Sequence, residues 1–301
     1  MYDPSQFRIS LWPSGRVPTP TVTGWDLEVR GEVLFFGMPA TFDVSVPEEY
    51  LLRDLFTIDL TDLGSLADFS ARFGPISGLG DTRDVLALLP RYETQTFAGI
   101  QGGGIAQVLE GQRAEANLGR DSDYAVPAWL VAQHLRVLRS LILHWEAHRE
   151  GSGAGLLSAW TGEGFTEPKN NYDAWRRFED HLNSALRPYH AHMEIAVLNS
   201  LPDEFGPLGY KPPDEFGLLG YKPKPPVYSV LALQMWNLVV EDLPIKRCGN
   251  ETCGQRFLRQ EGRARYGQSR LSGVMYCSKS CARAQANRVY RRRRRQREDQ
   301  F

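Results

Sequence analysis

Cys248-Gly249-Asn250-Glu251-Thr252-Cys253, followed at a distance by Tyr276-Cys277-Ser278-Lys279-Ser280-Cys281, decides how this chain is read. All four cysteines of the 301 residues lie in these two stretches, as C-x4-C and C-x3-C. Two short pairs separated by a longer span are a metal-ligand signature, because four thiolates at about 2.3 Å satisfy a tetrahedral Zn²⁺. Neither pair is spaced to staple a domain as a disulfide, and no secretory segment is visible in the sequence. Cys248, Cys253, Cys277 and Cys281 are therefore expected to hold one structural zinc with no open coordination position.

Working outward, Gly249-Asn250 sits at the bend of the first pair, where left-handed backbone is best tolerated. Arg256 to Arg259 reads as a short strand, and Val274-Met275-Tyr276 as the strand returning into Cys277. Ser278 is a candidate N-cap for a helix from Ala282 to about Arg297. Ala282, Ala286 and Val289, at i, i+4 and i+7, form its expected inward stripe. A turn carrying two ligands, a hairpin, then a helix whose start carries the other two is a treble-clef plan. A helix N-terminus suits the anionic tetrathiolate.

Arg247-Cys248, Cys253-Gly254, Phe257, Tyr276-Cys277-Ser278 and Cys281, followed by a basic helix, resemble the CGNR-type zinc finger of bacterial regulators. The resemblance covers about the last fifty residues. It implies a zinc module with a role at nucleic acid. The chain departs from that pattern in its second knuckle, which has three intervening residues in place of four. Cys281-Ala282-Arg283-Ala284 stands where the Cys-Gly-Asn-Arg string would be, and the central loop is longer.

The charge is split along the chain. Of 35 basic and 36 acidic residues, 16 and 4 fall in residues 246–301, leaving 19 and 32 in residues 1–245. A basic arm on an acidic body points to a polyanionic partner. Arg263, Arg265, Arg270, Lys279, Arg283, Arg288 and the run Arg291, Arg292, Arg293, Arg294 and Arg295 are the candidate nucleic-acid contacts. Arginine's planar fork matches phosphate and guanine edges. Arg283, Arg288, Arg291 and Arg295 form one candidate flank, and Tyr266 and Tyr290 are candidates for base stacking. The alternatives are that the arginines neutralise the acidic body, or that the zinc module is a protein-interaction adaptor.

The remaining residues read as a mixed α+β body, mostly helical, at 21–245, behind a Pro-rich arm at 1–20. Asp26 to Val46 is β in pattern, two or three antiparallel strands with a break at Gly37-Met38-Pro39. Helices are expected from Pro47, from Thr61 or Asp62 to Phe73, and over Asp81–Leu89, Pro127–Arg149, Asp173–Arg187 and Val227–Glu241. The last leads straight into the zinc module, so module and body are expected to pack together. Gly99 to Gly104 lacks the Lys-Ser/Thr of a phosphate loop and reads as a connection. Gly151 to Gly155 reads as a linker or mobile loop.

His144 and His148 share a helix face but lack the zincin order, and are expected to be partly exposed. His190 and His192 read as surface or half-buried imidazoles. Residues 202–212 recur almost unchanged as 213–223, a Pro/Gly-rich loop at 202–226 with a conceivable protein-docking role. The chain has no run of 18 apolar residues and no membrane partner is expected. A cytoplasmic location is the expectation, since Met-Tyr-Asp-Pro opens no signal pattern. No hydrolase or P-loop motif is present, and no cysteine is left over from the zinc set. An enzyme with its site in residues 25–245 is the weakest reading.

Overall fold

The computed structural model describes residues 21–47, 50–76, 125–162, 165–186, 226–258 and 274–298, side chains at Thr23, 38–42 and Glu298 excepted. The arm at 1–20, the expected helix at 81–89, the glycine run at 99–104, His190, His192 and the tandem repeat at 202–223 lie outside these residues. So do Tyr266 and, among the candidate contacts, Arg263, Arg265 and Arg270.

The chain is mixed α+β and mostly helical. A small antiparallel sheet lies towards the N-terminus, and the cysteines precede the final helix. Strand β1 (Val22–Arg30) turns at Gly31, whose φ of 59° suits a tight hairpin, into β2 (Val33–Val44). The expected break at Gly37-Met38-Pro39 is a register shift inside one continuous strand: Leu27 pairs with Phe36 but Trp25 with Pro39. The extra residue bulges, so the ladder resumes beyond it. A third strand, β3 (Ala125–Pro127), pairs Val126 with Leu34 along the other side of β2.

Pro47 is followed by α1 (Tyr50–Arg53) and a 3₁₀ turn, Leu55–Thr57. Of the two candidate caps of helix α2 (Leu63–Phe73), Thr61 and Asp62, Asp62 is the one used, its carboxylate accepting from Ser65 N–H at 2.8 Å. It stops at Gly74, where φ is 81°. Phe69 and Phe73 pack with Tyr50 from α1, the Tyr50 and Phe73 rings meeting edge-on at 4.9 Å.

Helix α3 (Ala128–Arg149) is the axis of the body, with Leu130, Val131, Leu135, Leu138, Leu141 and Ile142 fully buried. Pro127 is both the last residue of β3 and the residue at the N-cap position of α3, where it makes no side-chain capping bond. Its ring pre-sets φ and it has no N–H to leave unpaired there. Residues 151–155 are not a linker. Ser152 caps a helix, α4 (Gly153–Ser158), by accepting from Gly155 N–H at 3.0 Å. Glycine is required at 155 because a Cβ would stand 2.8 Å from that of Ala147 on α3.

Helix α5 (Asn171–Leu186) buries Phe178, Leu182, Ala185 and Leu186, while α6 (Val227–Val240) is apolar on nearly every side and closes the core. His144 is correspondingly buried and not partly exposed. It accepts from Trp160 Nε1–H at 3.1 Å and packs between the Trp175 and Phe178 rings. Burial holds its pKa down at about 3, and that of His134 at about 4, so both imidazoles are neutral in the fold. No described helix is long and apolar enough to cross a membrane.

Candidate metal centre and basic helix

Ile245 leads into β4 (Lys246–Arg247), which pairs antiparallel with β5 (Arg256–Phe257), Lys246 opposite Phe257. Of the strand expected at 256–259, Arg256 and Phe257 form one, Leu258 does not continue it, and Arg259 lies outside the described residues. The partner of this strand is the segment before Cys248 and not Val274–Tyr276, which forms no strand. The two-stranded knuckle encloses Cys248 and Cys253, and Cys248 N–H donates to Gln255 O at 2.9 Å. Its left-handed residue is Gly254, with φ 60°, and not Gly249 or Asn250. Gly249 is needed for another reason. Its N–H donates to Met275 O at 2.7 Å, and a Cβ there would meet that carbonyl at 3.2 Å. This close approach brings the second cysteine pair to the first.

Cys277 precedes helix α7 (Lys279–Glu298), and Cys281 lies in its first turn. Ser278 caps the helix, its hydroxyl accepting from Cys281 N–H at 3.2 Å. The Sγ atoms of Cys248, Cys253, Cys277 and Cys281 all lie within 4.8 Å of one another. Cys253 and Cys277 sulfurs are 3.7 Å apart, and those of Cys277 and Cys281 3.4 Å. A tetrahedron with Zn–S bonds of about 2.3 Å has S···S edges of about 3.8 Å, so donor set and size both fit one zinc ion. Cys277 N–H also points at Cys248 Sγ, at 3.4 Å, a contact that favours thiolate.

The thiols are unequal. Burial first, then the neighbouring sulfurs, push Cys277 far above the usual thiol range, and burial raises Cys253 as well. Hydrogen bonds from Ser278 and then Asn250 draw Cys281 down to about 6. Four thiolates this close repel one another, and a divalent cation offsets that repulsion. Zinc here would be structural: it would tie the knuckle to α7 and leave no position for substrate.

The side of α7 facing the knuckle is polar, contrary to the expected Ala282/Ala286/Val289 stripe. Gln285 is buried and Ala286 exposed. Gln285 Nε2 donates to Glu251 Oε1 at 2.9 Å, while Glu251 N–H donates to Gln285 Oε1 at 3.3 Å. Arg288 donates to Asn250 Oδ1 and, at 2.6 Å, to Thr252 Oγ1. Arg292 forms a two-pronged pair with the Glu251 carboxylate, which holds Glu251 below the usual carboxylate range. Asn250 is the keystone: 5% exposed, it serves Cys281 on one side and Arg288 on the other. Sequence spacing missed Asn250, Gln285 and Glu251, although polar residues directly beside the ligands are where such support must come from.

Two of the candidate contacts, Arg288 and Arg292, are therefore engaged within the module. Lys279, Arg283, Arg291, Arg293, Arg294 and Arg295 are all exposed. From Arg291 to Arg297 every side chain is exposed, although Arg292 still reaches back to Glu251 of the knuckle. At 100° per residue, Arg288, Arg292 and Gln285 span about 60° of the helix circumference. Lys279, Arg283, Tyr290, Arg294 and Arg297 span about 60° on the opposite side.

The knuckle is fastened to the body. Arg256 Nε donates to Glu146 Oε1 on α3 at 2.6 Å, its guanidinium lying 3.9 Å from the centre of the Phe56 ring. Arg247 reaches the other Glu146 oxygen at 3.3 Å. Nearby, Trp145 Nε1–H donates to Leu243 O at 3.1 Å, and Arg149 pairs with Asp242. No protein-family model matches this chain, and no curated protein or solved structure does either.

Proposed function

We propose that the chain is a nucleic-acid-binding protein, acting in regulation, whose zinc-tied C-terminal module (246–301) lays α7 against phosphates. The observation that carries this reading is the two-sidedness of α7. One side is spent on the knuckle, and the opposite side carries the exposed Lys279, Arg283, Arg294 and Arg297, with Arg291 and Arg293 on its flanks. A helix held in a fixed pose by one face, with a line of cations on the other, suits a polyphosphate surface. Residues 1–245, 32 acidic against 19 basic, would repel that polymer outside the footprint.

A second reading, a zinc-stabilised protein adaptor, is favoured by one fact. Arg256, Arg288 and Arg292 serve the chain's own polar groups, so the basic count overstates the charge on offer. Salt titration separates the two. With about six phosphates contacted, log K against log salt should fall with a slope near −5. Binding that is absent for both DNA and RNA, or flat in salt, contradicts the nucleic-acid reading and leaves the adaptor.

A further inference from the structure

We infer that Tyr290 is a base-stacking residue and that the partner of α7 is an unpaired nucleic-acid strand, not a closed duplex. This inference rests on the nucleic-acid reading above.

Tyr290 is 67% exposed, in the middle of a helix whose packed side is occupied by Gln285 and Arg288. Its ring belongs to no core. It shares its line along α7 with Lys279, Arg283, Arg294 and Arg297, which extends about 27 Å at 1.5 Å per residue. Phosphates explain the cations on that line but not the aromatic ring among them. A ring on a cationic line has a use where a base presents its face. In a duplex the base faces are stacked on one another and out of reach, whereas a single strand or loop offers them. Stacking is tolerant of sequence and the phosphate contacts are blind to it, so the pair predicts a strand-selective and weakly sequence-selective site. DNA and RNA share this chemistry.

The test uses the full-length, zinc-loaded chain and three labelled probes: a mixed-sequence single-stranded DNA of about 12 nucleotides, the same sequence as RNA, and the corresponding blunt DNA duplex. At least one single strand should bind at least fivefold more tightly than the duplex. Tyr290→Ala should weaken that single strand at least fivefold, with zinc content and duplex binding unchanged, and Tyr290→Phe should restore it. The inference is overturned if the duplex binds as well as the single strands, or if Tyr290→Ala costs less than fivefold. Salt-dependent duplex binding would then leave the broader nucleic-acid reading standing. Absence of binding to all three probes removes both.

Discussion

Arg256 and Glu146 lie 110 residues apart in the chain, yet the Arg256 Nε stands 2.6 Å from a Glu146 carboxylate oxygen, in a contact where both side chains are nearly buried. This pair, roofed by the Phe56 ring, makes the zinc knuckle part of the body's surface and gives α7 a fixed direction. Glu146→Ala would leave the guanidinium buried against an aromatic ring with no anion. Removing one partner of such a pair costs about 3 kcal/mol. Denaturant titration should show a loss of that order with zinc content preserved. A change below about 1 kcal/mol would mean that the pair contributes nothing to the join.

Asn250 links a metal ligand to the helix arginine that clasps the knuckle. Asn250→Ala removes both hydrogen bonds from a buried position, and zinc affinity should fall about 10- to 100-fold, the usual effect of losing a residue that supports metal ligands. Competition against a chromogenic chelator reads this directly. Arg288→Ala should weaken zinc less, since it touches no sulfur.

Gly155→Ala sets two effects against each other. Alanine is favoured over glycine within a helix by about 1 kcal/mol. The new methyl would stand 2.8 Å from the Ala147 Cβ, a distance real atoms do not tolerate, and overpacking of that kind costs about 1–3 kcal/mol. Ala147 has no flexible end to move aside, so a lower melting temperature is expected. A rise would show that α3 and α4 separate easily.

Acid should destabilise the body before carboxylates titrate. His134 and His144 are neutral in the fold, with pKa values of about 4 and about 3, whereas unfolded histidine titrates near 6.5. The unfolded chain thus binds more protons below pH 6.5, and stability falls as pH drops from there towards 4. The loss between pH 7.5 and 5.5 should be about 2.7 kcal/mol in zinc-saturated protein, about 1.4 from each histidine, and His134→Leu should roughly halve it. A pH-independent stability over that window would contradict the burial of these rings.

What the sequence made legible is what depends on neighbours in the chain. The Asp62 cap of α2, the apolar spacing of α3 and the two cysteine pairs each follow from residues within a few turns of one another. What stayed hidden depends on residues far apart. Ala125–Pro127 is too short to announce itself and is a strand only because β2 is there to pair with it. His144 looked like an imidazole near a helix end, but α5 returns to cover it with Trp175 and Phe178. The glycines at 151–155 looked like a linker because glycine also marks flexibility; here Gly155 permits close helix contact. The arginines of α7 were indistinguishable by composition, and only contact with Asn250, Thr252 and Glu251 sorts Arg288 and Arg292 from their neighbours.

The central claim is that the four sulfurs hold one metal ion and that this ion ties the knuckle to the basic helix. Elemental analysis of the purified full-length chain, with native mass measurement, tests it most directly. One zinc per chain is expected, with none bound by Cys277→Ser. Protein isolated with chelator-free buffers that carries no metal, while all four thiols react freely with an alkylating reagent, would contradict it.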